Sequence, residues 1–215
     1  MAIYDTEEEQ VEALKRWWRE NSQATITGVV VGLCLMTGIN FWNSSQQDKR
    51  AQASTLYEQL LEADKQKKSE EVDRLSQDLL QKYSSTAYAD FGALFQAKSK
   101  INQGDMGAAK TILEKLVATA DDEVKHIARI RLVSLMLSMG EYEQGLKLIA
   151  ETDAAAMAGF VANYEELKGD LYVALNRIDE ARTAYENAKR EGAQSPLLQF
   201  KLDDITAAEI SPVAK

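Results

Sequence analysis

Cysteine and histidine each occur once in this chain of 215 residues, as Cys34 and His126, and proline only twice. A lone thiol excludes a disulfide framework within the chain. One imidazole beside one thiol excludes a zinc site built from several His or Cys ligands, and any catalytic constellation that needs two imidazoles. There is no glycine loop followed by Lys-Ser/Thr to cradle phosphate, no HExxH, no GxSxG and no calcium loop of EF-hand type. Asp121-Asp122 and Asp203-Asp204 are adjacent carboxylates, but neighbours along a helix do not face each other, so both pairs read as helix-start or solvated charge. His126 heads a run containing Ile127, Ile130 and Leu132 and reads as a packing residue. No catalytic, metal or cofactor-binding residue is expected, and the chain reads as a non-enzyme without cofactors. Basic residues are also scarce, 25 against 34 acidic ones, and the formal charge of −9 disfavours nucleic acid as a partner. Lys65-Gln66-Lys67-Lys68 is a short basic cluster that reads as a solvated turn.

Apolar material is plentiful at 45% of the residues, enough for a core and a membrane segment together. No charge interrupts the sequence between Glu20 and Asp48, and the run Ala24 to Trp42 is built mainly of Val, Leu, Ile, Met, Phe, Gly and Thr. As a helix it spans about 28 Å, close to the hydrocarbon thickness of about 30 Å. Trp17, Trp18 and Trp42 flank it where interfacial aromatics belong. Ala51-Gln52-Ala53 is the small-x-small pattern of a signal-peptide cleavage site, but it lies behind Asp48, Lys49 and Arg50, and the segment before the apolar run is long and acidic. The run therefore reads as an uncleaved anchor. Lys15, Arg16 and Arg19 precede it and Lys49 and Arg50 follow it. The excess of three to two, with the shorter segment in front, places the N-terminus in the cytoplasm. Gly28 and Gly32, four residues apart, leave one side of the anchor bare for lateral packing against another membrane helix. Cys34 reads as a small apolar filler.

Beyond the anchor no segment alternates with a period of two, whereas apolar residues recur at helical spacing throughout. The expected fold is all-α: one N-terminal transmembrane helix followed by a helical-repeat solenoid. Three segments share a plan: Gly104-Asp105-Met106-Gly107-Ala108-Ala109, Gly140-Glu141-Tyr142-Glu143-Gln144-Gly145 and Asn176-Arg177-Ile178-Asp179-Glu180-Ala181. Each opens on a turn residue and closes, five positions later, on a small one. The starts are 36 residues apart, near the tetratricopeptide period of about 34, and one further interval back falls on Lys68. A residue with positive φ lets the chain leave one helix, and a small residue lets the next lie against it. Gly169, Tyr172, Ala181, Tyr185 and Ala188 make the last repeat the fullest match to the tetratricopeptide pattern. Pro196 to Leu202 reads as a closing helix that caps the array. The expected divisions are a cytoplasmic tail (1–23), a transmembrane helix (24–42), a helical extension or linker (43–66) and a tetratricopeptide-like repeat domain (67–215).

The opening Ile3-Tyr4, the block Glu9-Gln10-Val11-Glu12-Ala13-Leu14-Lys15-Arg16-Trp17-Trp18 with Glu20-Asn21, then Phe41-Trp42-Asn43-Ser44, the repeat turns and Ser195-Pro196-Leu197-Leu198 together resemble the YfgM family. The resemblance implies an ancillary subunit of the Sec translocon: a single-pass type II protein of the bacterial inner membrane with its repeat domain in the periplasm. It also implies proximity to the SecYEG channel, to a PpiD-like membrane-anchored chaperone and to newly translocated polypeptides. Members of that family are not known as enzymes. The residues leave two roles open. One is a scaffold or chaperone-like module that holds partners on the first helix of each repeat, with Phe91, Leu94, Ile101, Ile127, Ile130 and Leu137 as the candidate face. The other is a regulatory adaptor whose cytoplasmic tail, with Asp5, Glu7, Glu8, Glu9 and Glu12 beside Val11 and Leu14, captures a signalling protein. Replacing Gly28 and Gly32 together with leucine is expected to weaken retention of a membrane partner by about 1–2 kcal/mol, with the melting of the repeat domain unchanged. Co-purification from membranes checks it.

Overall fold

A computed structural model describes residues 7–152, 159–193 and 195–210, with side chains described from Gln10 to Thr206 within those ranges. Ile3-Tyr4 and Asp5 lie outside the described residues, and of the acidic strip only the side chain of Glu12 is seen, exposed on a helix. The described residues form the helices α1 Glu7–Lys65, α2 Ser69–Lys82, α3 Ala87–Asn102, α4 Met106–Thr119, α5 Asp122–Met139, α6 Tyr142–Ala150, α7 Val161–Ala174, α8 Ile178–Arg190 and α9 Pro196–Ile210. The chain divides into two compact units, residues 1–52 and 53–215.

In the first unit, α1 carries the apolar run, and it is long and apolar enough to cross a membrane. Every residue from Ala24 to Trp42 except Thr25 is exposed, with Met36 at 63% and Phe41 at 78%. That excludes the buried core helix of a soluble domain, which would hide these side chains. Thr27 donates to the Gln23 carbonyl at 2.7 Å and Thr37 to the Leu33 carbonyl at 2.9 Å, so both hydroxyls are satisfied within the helix, as a hydrocarbon surrounding demands. Gly28 and Gly32 have open space where a Cβ would stand.

The second unit starts inside α1. Ala53, Leu60 and Ala63 are buried with Val72, Leu75 and Leu79 of α2, and Tyr57 with Tyr88 and Phe95 packs on that cluster. The last turns of α1 thus serve as the first helix of the first pair, and α1/α2, α3/α4, α5/α6 and α7/α8 follow one plan. At the end of each leading helix the chain turns through a left-handed residue: Lys67 (φ 57°), Gly104 (82°), Gly140 (79°) and Asn176 (58°). The same two bonds close each turn. The left-handed residue donates to the carbonyl three back, as in Gly104 to Ile101 at 2.9 Å, and the next donates five back, as in Asp105 to Lys100 at 2.9 Å. Lys67 to Asp64 and Lys68 to Ala63, both 3.0 Å, repeat this arrangement, the Schellman end of a helix. The reversal therefore falls on Lys67, one residue before the Lys68 that the interval predicts, so the first repeat is one residue longer than the others.

Five positions after each left-handed residue come Val72, Ala109, Gly145 and Ala181, all buried. The apolar interior runs as a succession of clusters, α3 to α5 around Leu113 and Leu132, α5 to α7 around Val133 and Leu171, and α8 with α9 around Tyr185 and Leu198. Each helix pair is thus covered by its neighbours in sequence, the arrangement expected of a solenoid. The tightest approach is in the last pair, where the Tyr185 ring lies on Gly169. A Cβ there would stand 2.2 Å from the ring, while the Tyr185 hydroxyl donates to Asp170 at 2.8 Å and cannot swing aside without losing that bond. Gly169→Ala is expected to lower stability by about 1–3 kcal/mol through overpacking, read as a lower melting temperature of the repeat domain.

Candidate functional site

Where α3 and α5, leading helices of successive pairs, run side by side, they leave a groove of about 550 Å³. Its floor is apolar, from Leu94, Ala97, Ile101, Leu113 and Leu135. Its rim is polar, from Lys98, Arg131, Ser134 and Ser138, with Phe95 beside Lys98. Helical spacing produces this division. Leu94, Lys98 and Ile101 recur along one side of α3, and Arg131, Ser134 and Ser138 along one side of α5.

The rim groups differ in how far they are already engaged. Ser134 donates to Ile130 at 2.9 Å and Ser138 to Leu135 at 2.7 Å, so both hydroxyls are folded back on their own helix. Lys98 is held by both oxygens of Asp64, at 2.9 and 2.7 Å, and lies 5.7 Å from the centre of the Phe95 ring. Arg131 is exposed and, among the described residues, donates one long bond of 3.4 Å, to the Leu94 carbonyl. It makes no ion pair with any described carboxylate. Next to the groove, Tyr57 meets Tyr88, Phe91 and Phe95 with ring centres 5.6, 5.9 and 5.9 Å away. Burial pushes the Tyr57 hydroxyl pKa up, and the positive charge of Arg131 partly opposes it. The site is thus an apolar trough with an aromatic shoulder and, on its rim, one cation that pairs with no described carboxylate.

Of the six face residues expected from the turns, Leu94 and Ile101 line the groove. Phe91 and Ile127 pack against the cluster of α3, α4 and α5, and Ile130 and Leu137 against that of α5, α6 and α7. The same offsets from Gly104 and Gly140 therefore point to different sides of α3 and α5: in α5 the groove residues are Arg131 and Ser138, one position after Ile130 and Leu137. Lys98, Arg131, Ser134 and Ser138 are the lining residues that a search for apolar positions passes over. His126 is buried between α5 and α7, its Nδ1 2.8 Å from the Tyr164 hydroxyl and its ring stacked on Phe160 at 5.2 Å. Asp121 and Asp122 sit at the start of α5, and Asp122 pairs with Lys125 at 3.1 Å. Among the described residues no group of three or more His, Cys, Asp or Glu could hold a metal ion.

The sequence profile described as "Tetratricopeptide repeat-like domain" matches residues 15–207. The chain belongs to that family. Among curated relatives, one from Haemophilus influenzae is 29% identical over 95% of this chain and 100% of its own length, and one from Escherichia coli is 26% identical over 96% and 100%. A third, from Aggregatibacter actinomycetemcomitans, is 25% identical over 95% and 100%. All three are named "Ancillary SecYEG translocon subunit", in agreement with the resemblance read from the opening block, the anchor and the turns. The solved structure of MamA, residue 41 to the end, from Desulfovibrio magneticus RS-1 aligns with a TM-score of 0.56 at 15% identity, covering 74% of this chain and 85% of that one. It shares the tetratricopeptide repeat-like fold.

Ile130→Ala and Leu137→Ala are expected to cost about 2 kcal/mol or more, as cavities between helices, whereas Arg131→Gln and Ser134→Ala on the groove rim should stay within about 0.5 kcal/mol of the parent. Urea unfolding of the four variants checks the division.

Proposed function

We propose that this protein is a non-enzymatic, membrane-anchored accessory subunit of the Sec translocon. The observation that carries the reading is the end-to-end match to relatives named as ancillary SecYEG subunits, over all of their length and at least 95% of this chain. The exposed apolar run of α1 supports a single crossing of the bacterial inner membrane, and the three-to-two count of Lys and Arg supports an N-terminus in the cytoplasm and a repeat domain in the periplasm. In this reading residues 1–23 form the cytoplasmic tail, 24–42 the membrane helix and 43–66 its extension, whose last turns from Ala53 pack with 67–215 as part of the repeat domain. The bare face at Gly28 and Gly32 packs against another membrane helix, of the SecYEG channel or of a PpiD-like chaperone. Confinement near the channel raises the effective concentration of the repeat domain for segments as they emerge, so a groove of modest affinity suffices to hold them. The α3/α5 groove serves as the holding site for newly translocated polypeptides, through Leu94, Ile101 and Leu135 on the floor and Arg131 on the rim.

Photoreactive residues placed at Ser134 and Ser138, on the groove, and at Glu186, an exposed position of α8, test this in membranes that carry a translocation-arrested secretory chain. Crosslinks from the two groove positions to the arrested chain, and none from Glu186, are expected. Equal labelling from all three positions would remove the groove as the holding site. The absence of crosslinks to both the arrested chain and SecYEG would remove the translocon reading itself.

A further inference from the structure

The last helix of a stacked array normally turns a polar side outward, since no further pair follows to cover it. α9 does not. Its inner stripe is conventional: Leu198 and Ile205 are buried with Ala181, Tyr185 and Ala188 of α8, and Lys201 reaches Glu166 and Asp170 of α7, each at 2.8 Å. Away from that stripe Leu197 is 58% and Phe200 69% exposed. Among the described residues of the repeat domain, the other exposed large hydrophobics, Met139 and Val173, reach only 38% each. Leu197 and Phe200, three residues apart, are neighbours on the helix surface, and together with Lys201, Asp203 and Asp204 they line a shallow cleft of about 540 Å³.

We propose that this outer side of α9 is a docking face for an amphipathic helix of another protein, one whose apolar stripe is flanked by lysine or arginine. Charge selects the occupant. Lys201 is neutralised by its two carboxylates, Asp203 is engaged only by the neutral Gln199 amide at 2.8 Å, and Asp204 makes no ion pair among the described residues. Among the described residues the cleft therefore presents two aspartates without an ion-pair partner beside Leu197 and Phe200. A second copy related by a two-fold axis would set the same acidic patch against this one, and an anionic lipid surface would be repelled. A helix offering two or three apolar residues on one side, with cations at its edge, satisfies both the exposed hydrophobics and the carboxylates. This face lies on a different helix from the α3/α5 groove, and its occupation does not depend on that site.

Fluorescence anisotropy with the full chain in phosphatidylcholine nanodiscs tests the proposal. The probes are three synthetic helical peptides that share one leucine stripe and differ only in having lysine, glutamine or glutamate at its edges. The lysine peptide should bind tightest, and Phe200→Ser should weaken it about tenfold or more with the melting temperature unchanged. Asp203→Asn with Asp204→Asn should abolish the preference for lysine over glutamine, and Arg131→Glu should leave binding as it was. Binding that survives Phe200→Ser, or equal binding of the lysine and glutamate peptides, overturns the proposal. So does tighter binding on Arg131→Glu, which removes a like charge from the groove rim and would place the peptide there. A concentration-dependent dimer that disappears with Phe200→Ser would make a second copy the occupant and overturn it as well.

Discussion

The repeat domain depends on one constraint: at each helix end the backbone must reverse within a single left-handed residue, so that the next helix starts close enough to pack along the one it has just left. Two hydrogen bonds fix that reversal at Lys67, Gly104, Gly140 and Asn176, and they use carbonyls that the helix end would otherwise leave open. The geometry then dictates what stands five residues later, since that position faces the departing helix at close range. Val72, Ala109, Gly145 and Ala181 all occupy it, and the difference in size from valine to glycine is taken up by neighbours such as Leu171, whose Cδ2 would stand 3.1 Å from a Cβ on Gly145.

Much of this was legible in the sequence, because the chemistry of the reversal restricts the residue types. Glycine and asparagine enter the left-handed region at low cost, so three of the four turns announced themselves at equal spacing. The fourth did not. Lysine has no such preference, and the basic cluster around Lys67 carries no mark of which residue reverses. The anchor was equally plain, as a charge-free run bounded by tryptophans. How its end is used was not: nothing in the spacing of Leu56, Leu60 and Ala63 says that these turns of α1 close the first pair with α2.

The candidate site was less legible than the fold, for a physical reason. An apolar residue on a leading helix has two uses, facing the groove or facing the adjacent pair, and both call for leucine or isoleucine at helical spacing. A rotation of one residue, about 100°, separates Ile130 from Arg131 and Leu137 from Ser138. Only the packing distinguishes them. Once placed, the groove takes its character from charges rather than from hydrophobics. Asp64, in the last turn of α1, claims Lys98, and Arg131 is left as the cation of the rim that pairs with no described carboxylate, in a chain whose formal charge is −9.

The succession of small clusters, each shared by helices adjacent in sequence, also bears on how the domain comes to be folded. No cluster waits for a distant segment: the one around Leu60 and Leu75 is complete once α3 exists, and the one around Leu113 and Leu132 once α5 does. Contacts of short sequence separation form quickly and with little loop-closure entropy. A chain that emerges N-terminus first can therefore consolidate pair by pair as it appears, each finished pair serving as the template for the next. The growing end stays apolar until the following helix arrives, and of the described helices α9 is the last to arrive.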